Sequence, residues 1–135
     1  MDAPDARWRR VAYSMGAGAL YDLAFAAAIL FFPGPAAALL GLSLPADPVY
    51  LQLNGVLLVL LAGLYSLPAR APLRYRGVAW IAVAGRFLGF LFFVRVWIGG
   101  HPPVFLALGL GDLGFSLLHG VLLLAARGSG SAANA

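Results

Sequence analysis

The chain has 135 residues, of which 62% are hydrophobic and only 10% are charged. Because soluble domains contain roughly 45–50% apolar and 25% charged residues, this composition excludes a soluble globular protein and predicts an integral membrane protein. The net charge of +4 does not indicate a nucleic-acid partner, because the arginines flank the apolar segments, where they orient a protein in a membrane.

Four apolar segments are predicted to cross the membrane as helices. They cover residues 11–32, 49–67, 77–98 and 104–126. Each is close to the roughly 20 residues that span the hydrocarbon core. We therefore predict an all-α fold, a polytopic membrane four-helix bundle with one transmembrane domain over residues 1–126. Residues 36–42 are expected to form a short helix at the membrane surface, and residues 127–135 a disordered cytoplasmic tail.

The arginines are concentrated at one end of the predicted spans. They lie before the first span, between the second and third, and after the fourth: Arg7, Arg9, Arg10, Arg70, Arg74, Arg76 and Arg127. The two opposite connections, residues 33–48 and 99–103, contain no lysine or arginine. Since positively charged loops stay on the cytoplasmic side, we predict that both termini are cytoplasmic.

Three spans carry a charged residue near their middle: Asp22, Arg86 and Asp112. A charge at the bilayer centre costs at least about 2.5–3.5 kcal/mol, so it needs a partner or a function. At ~1.5 Å per residue, these charges lie about 15, 18 and 12 Å below the outer ends, with Asn54 about 8 Å below. The shared depth predicts that Arg86 bonds one or both aspartates. Tyr21 is rotated about 100° from Asp22 and need not share the site.

Further polar residues continue this layer along two helices. Ser116 and His119 follow Asp112 at positions i+4 and i+7, and Tyr65 shares a helical stripe with Asn54. We interpret the whole set as a candidate ligand-binding or proton-linked site: Asp22, Asn54, Tyr65, Arg86, Asp112, Ser116 and His119. A surplus carboxylate beside one guanidinium could exchange a proton. Alternatively, the Asp–Arg pairs only fix the register of the helices.

Enzyme motifs do not accompany this set. The chain lacks cysteine, which excludes disulfides, thiolate metal ligands and thiol redox chemistry. Ser116 and His119 are close together on one helix without an oxyanion device, so a hydrolase is disfavoured and His119 is interpreted as a hydrogen-bonded core residue. We predict a non-enzymatic protein with no cofactor and no metal. Gly85 and Gly89, four residues apart, predict close helix packing within the protein or in a homodimer.

The span pattern across residues 11–126 resembles that of DoxX-type and other small four-helix proteins of the bacterial inner membrane. The resemblance concerns architecture alone, and it implies a multi-pass protein of the bacterial cytoplasmic membrane without implying any site residue. Asp22 is also similar in location to the membrane-embedded acid of small multidrug exporters, which use glutamate in a different sequence context.

These patterns lead to two main hypotheses of function. A third, a membrane enzyme that acts on a lipid with His119 as acid or base, is disfavoured because no activated nucleophile or metal set accompanies this histidine. In the first, the protein binds a small lipophilic or lipid-like molecule, or is an accessory subunit of a membrane complex. Arg86 would then hold the anionic or carbonyl end of a ligand, Asp22 and Asp112 would balance its charge, and Asn54 would line the entrance. In the second, the protein is a homodimeric proton-coupled transporter of a small solute, with Asp22 or Asp112 as the coupling acid. The lipid bilayer is an expected partner, and no nucleic-acid partner is expected.

Overall fold

Five α-helices are present in the computed structural model, which describes residues 6–131. They are α1 (Ala6–Phe31), α2 (Pro33–Leu39), α3 (Val49–Arg70), α4 (Arg76–Ile98) and α5 (Val104–Ser131). Helices α1, α3, α4 and α5 are long and apolar enough to cross a membrane. An all-helical fold with four such helices is therefore confirmed, and the chain is a multi-pass membrane protein. The location of its termini stays a prediction.

Helix α1 begins at Ala6, before its predicted span of 11–32, and two other helices continue past their predicted C-terminal ends. Helix α3 continues through the buried Pro68 to Arg70, and the amide of Ala71 still donates to the Leu67 carbonyl at 3.0 Å. Proline is tolerated in membrane helices where neighbouring groups compensate for the missing bond. Helix α5 continues to Ser131, so the predicted disordered tail is helical up to that residue. The rest of that tail, residues 132–135, lies outside the described residues.

The short helix α2 begins earlier than the predicted segment 36–42. It starts at Pro33, which occupies the first turn. A proline is favoured there because the amide that it lacks would have no helical acceptor. The chain leaves α2 through Gly41, whose φ of +66° lies in the left-handed region. Residues 42–48 then connect α2 to α3 without regular structure.

The long helices pack with unequal closeness. Helix α1 contacts both α3 and α5, α4 packs mainly against α5, and α3 and α4 touch only sparsely. Gly55 lets α1 and α3 approach closely, because a Cβ at this position would lie 2.8 Å from Cγ of Leu30. Gly109 does the same for α4 and α5, where a Cβ would lie 3.0 Å from Cβ of Phe93. The arrangement is thus tight along α1–α3 and α4–α5 and loose between α3 and α4.

The hydrophobic core lies in one half of the molecule. We call this half the arginine-rich end; it contains the start of α1, the end of α3, the start of α4 and the end of α5. Its core residues are Trp8, Val11, Met15, Ala19, Ala62, Tyr65, Ala79, Ala82, Leu123 and Ala126. Arg7 donates from Nη1 to the Ala125 carbonyl at 3.3 Å, and the Arg127 guanidinium lies 5.0 Å from the Trp80 ring. The end of α5 is therefore fixed against α1 and α4.

The outer faces of the long helices are apolar and exposed. In the most apolar stretch of each helix, only 17–33% of the residues are buried within the protein. Large side chains such as Leu20, Ile81 and Leu124 are 69%, 71% and 60% exposed. An apolar surface of this extent marks contact with a membrane rather than with water. The composition and the surface therefore lead to the same class of protein.

Candidate functional site: a charged layer beneath an apolar cavity

Arg86 joins three helices through two ion pairs. Its Nη2 donates to Oδ1 of Asp22 on α1 at 2.7 Å, and its Nη1 donates to Oδ1 of Asp112 on α5 at 2.7 Å. Nη2 also contacts the Gly18 carbonyl at 3.3 Å. The side chains of Asp22, Arg86 and Asp112 are 2%, 7% and 13% exposed. The three charges predicted to share a depth thus form a buried salt-bridge layer.

Gly89 makes room for this layer, and Gly18 makes room for the neighbouring His119. A Cβ at Gly89 on α4 would lie 2.5 Å from Oδ2 of Asp112, a distance that Cβ atoms do not adopt. A Cβ at Gly18 on α1 would lie 3.2 Å from Nε2 of His119. The two glycines of the predicted Gly85–Gly89 pair therefore have different roles. Gly89 accommodates the Asp112 carboxylate, whereas a Cβ at Gly85 would meet no heavy atom within 4 Å.

Three aromatic rings surround the guanidinium of Arg86. Its Cζ lies 5.2 Å from the ring centroid of Tyr21, 5.4 Å from that of Tyr65 and 5.1 Å from that of Phe115. Cations are attracted to aromatic faces at such distances. Tyr21, which the sequence did not require at the site, therefore belongs to it. The Cβ direction fixes where a side chain starts, but a tyrosine ring extends far enough to reach a neighbouring face.

The charges of the layer do not balance. Two carboxylates bond one guanidinium, so the ionised cluster carries one surplus negative charge. Among the residues described, Oδ2 of Asp22 and Nε of Arg86 are buried and have no hydrogen-bond partner. A buried polar atom without a partner costs free energy. With all three groups ionised, the layer is therefore net negative, and it is also incompletely hydrogen-bonded.

A cavity of about 580 Å³ lies on one side of this layer. Asp22, Arg86 and Asp112 line it together with apolar residues from α1, α3, α4 and α5. Helix α2 and the following residues 40–45 contribute to its wall on the side opposite the arginine-rich end. Asn54 also lines the cavity and is exposed. The site therefore has a charged floor, apolar walls and a short helix on the side opposite the arginine-rich end.

The remaining predicted site residues lie outside the cavity lining. Tyr65 contacts Arg86 from the hydrophobic core, and the Ser116 hydroxyl donates to the Val83 carbonyl at 3.0 Å. His119 is fully buried, and its Nδ1 lies 3.2 Å from Oγ of Ser14. The structure thus places Asp22, Asn54, Arg86 and Asp112 around one cavity, and it places Tyr65, Ser116 and His119 towards the arginine-rich end.

Ser14 fixes the orientation of the histidine. Its hydroxyl lies 2.9 Å from the Val11 carbonyl and 3.2 Å from Nδ1 of His119. When the hydroxyl donates to the carbonyl, it accepts from Nδ1 in the tautomer that carries the proton on that nitrogen. The sequence interpretation did not include Ser14, Gly18 or Phe115. A signal was available, because Ser14, Gly18 and Asp22 are four residues apart on α1, and Phe115 lies three residues after Asp112.

No protein-family model, no curated protein and no solved structure matches this chain. The geometry of the charged layer and its cavity therefore carries the functional argument.

Proposed function

We propose that the protein binds a small lipophilic or lipid-like molecule within the membrane and is not an enzyme. The observation that supports this proposal is the cavity of about 580 Å³, whose walls are apolar and whose floor is the buried Asp22–Arg86–Asp112 layer. Ligand sites in proteins are typically about 300–1,000 Å³ and mainly apolar, with a few polar groups that orient the ligand. In this proposal the apolar part of the ligand packs against the walls, and its polar end contacts the charged layer.

The packing of the helices supports access from the lipid phase. Helices α3 and α4 make sparse contact, although residues of both line the cavity. The exposed Asn54 lies on α3 at this side of the molecule. A lipophilic molecule dissolved in the bilayer could therefore reach the cavity between α3 and α4. The solid core at the arginine-rich end favours a site with one opening over a continuous path across the membrane.

The proposal includes a location in the bacterial cytoplasmic membrane with both termini in the cytoplasm. Its support is the distribution of arginine, because the four helix ends at the arginine-rich end and the turn after α3 carry seven of the nine basic residues. In this orientation the cavity lies in the outer half of the membrane. Its ligand would come from the outer leaflet or from the compartment beyond it.

Native mass spectrometry of the protein extracted gently from its own membrane tests the proposal. Ala28 lines the cavity, whereas the neighbouring Ala27 is exposed and does not. We expect the wild type and Ala27→Phe to retain a small molecule that Ala28→Phe loses, with equal thermal stability of the two variants. Equal retention by both variants would refute this cavity as the site. Release with larger subunits would favour the accessory-subunit hypothesis, and a ligand-free homodimer would favour the transporter hypothesis.

A further inference from the structure

We infer that the ligand of this cavity is a lipophilic monocation, such as an amine carried as its ammonium form on an apolar body. This inference rests on the proposed function and specifies the charge of the molecule that the site accepts. It differs from the hypothesis drawn from the sequence, in which Arg86 receives an anionic or carbonyl group.

The first argument is the balance of charge. Asp22 and Asp112 each bond Arg86 at 2.7 Å, and the ionised layer is left with one negative charge inside an apolar protein. An uncompensated charge in such surroundings is strongly unfavourable. A ligand with one positive charge makes the layer and its ligand neutral together. A ligand with a negative charge would double the imbalance.

The second argument is the kind of hydrogen-bonding atom that remains. Both terminal nitrogens of Arg86 already donate to carboxylates, and its Nε has no hydrogen-bond partner among the described residues. Asp22, which is 2% exposed and lines the cavity, has a buried carboxylate oxygen, Oδ2, without a hydrogen-bond partner among residues 6–131. An ionised carboxylate only accepts hydrogen bonds. An ammonium group in the cavity supplies the positive charge that the two carboxylates lack, and Asp112, whose side chain is 13% exposed and lines the cavity, offers it the more accessible acceptor.

The third argument is the aromatic content of the cavity wall. Tyr21, Phe25, Phe93 and Phe105 line the cavity, and the rings of Tyr21 and Phe25 lie 4.8 Å apart. Aromatic faces attract cations, and they do so more strongly where water is excluded. They also pack against an apolar body. The wall therefore suits both parts of a lipophilic cation.

Three probes with one shape and different charges test the inference: 6-phenylhexylamine, 6-phenylhexan-1-ol and 6-phenylhexanoate. Their affinities are measured by isothermal titration of the protein in nanodiscs, with empty nanodiscs subtracted to remove partition into lipid. We expect the amine to bind at least about tenfold more tightly than the alcohol, because a tenfold ratio needs only one modest charge interaction. The carboxylate is expected to bind most weakly.

Other results of this titration would overturn the inference. Equal affinity of the amine and the alcohol, or tighter binding of the carboxylate, would overturn the cationic ligand and leave the proposed binding function intact. If none of the three probes binds and the native protein also retains no small molecule, the proposed function and this inference both fail.

A pair of variants connects the preference to the charged layer. Asp112→Asn keeps the shape of the side chain and an acceptor for Arg86 but removes the surplus charge, so we expect the amine-to-alcohol affinity ratio to fall towards one. Asp47→Asn is the matched control, because Asp47 is an exposed carboxylate that accepts from the Val49 amide at 3.0 Å outside the cavity. An unchanged ratio in Asp112→Asn would overturn the assignment. The comparison of the three probes on the wild type decides the question even if this variant fails to fold.

Discussion

At the scale of single residues, Arg86 connects three of the long helices through hydrogen bonds. Its guanidinium bonds Asp22 on α1 and Asp112 on α5 from a backbone position on α4. The planar fork of an arginine can serve two carboxylates at once, whereas the ammonium of a lysine is a compact point charge. This difference gives a direct test of the geometry.

We expect Arg86→Lys to lower the free energy of unfolding by about 1–3 kcal/mol, because the charge is kept but one of the two carboxylates loses its bond. The measurement is thermal or denaturant unfolding in a fixed detergent. Arg95→Lys is the matched control, since Arg95 is exposed in the last turn of the same helix. Equal losses in the two variants would mean that the bidentate arrangement contributes nothing.

Gly89 offers a second test of the layer. Gly89→Ala would place a Cβ 2.5 Å from Oδ2 of Asp112, so the carboxylate must shift. Because the same carboxylate bonds Arg86, we expect stability to fall. Gly85→Ala, one turn earlier in open space, should be neutral or raise helix stability by about 0.5–1 kcal/mol.

A double-mutant cycle identifies the cause of the Gly89→Ala loss. If the collision with Asp112 is responsible, the loss should shrink in an Asp112→Ala background, because the colliding atoms are then absent. A loss of the same size in both backgrounds would contradict this explanation.

The hydrogen bond between Ser14 and His119 is a third feature at this scale. Ser14→Ala leaves Nδ1 of a fully buried imidazole without its hydrogen-bond partner, and a buried polar group without a partner costs about 1–3 kcal/mol. Ser66→Ala is the control, because Ser66 makes the same kind of bond to a carbonyl three residues earlier, Gly63, at 2.7 Å. We expect a clear loss of thermal stability for Ser14→Ala and a change within error for Ser66→Ala.

At the scale of elements, α2 is the helix that borders the cavity with the least support from the others. It contacts α1, contains no buried residue and is followed by a turn at Gly41, which has a positive φ. Its position is therefore set largely by the chain that enters and leaves it. This makes α2 sensitive to substitutions in its connections.

We expect Gly41→Ala to loosen α2, because a left-handed conformation costs about 1–2 kcal/mol for a residue with a Cβ. Faster amide hydrogen exchange over residues 33–45, measured by mass spectrometry, would report this change. Gly34→Ala is the control within α2, since a Cβ there meets nothing within 4 Å and its φ is not positive. Unchanged exchange in Gly41→Ala would show that the turn does not hold α2 in place.

At the scale of the whole molecule, the orientation in the membrane can be measured because the chain has no cysteine of its own. Single cysteines at Ala46, in the connection after α2, and at Leu73, in the turn after α3, lie at opposite ends of the helices. With both termini in the cytoplasm, an impermeant maleimide added to intact bacterial cells with a permeable outer membrane should label Ala46→Cys. Leu73→Cys should react only after the cytoplasmic membrane is opened, and the reverse pattern would overturn the proposed orientation.

The sequence predicted the four long helices and the meeting of Asp22, Arg86 and Asp112, because apolar length and depth along a helix can be read from residue spacing. It did not predict that α3 continues through Pro68 or that Tyr21 reaches Arg86. It also did not predict the cavity, because residue spacing along each helix does not determine the distance between neighbouring helices. That distance depends on contacts such as the one between Gly55 and Leu30, which only the packed structure contains.

The order in which the charged residues are translated affects how the first span is inserted into the membrane. Arg86 follows Asp22 by 64 residues, and Asp112 follows Arg86 by 26. At about 5–20 residues per second, the first span emerges roughly 3–13 s before its guanidinium partner exists. During that interval the unpaired charge of Asp22 raises the free energy of moving the first span into lipid by at least about 2.5 kcal/mol. The first span should therefore remain beside the insertion machinery until the third span arrives, and the two should enter the bilayer together.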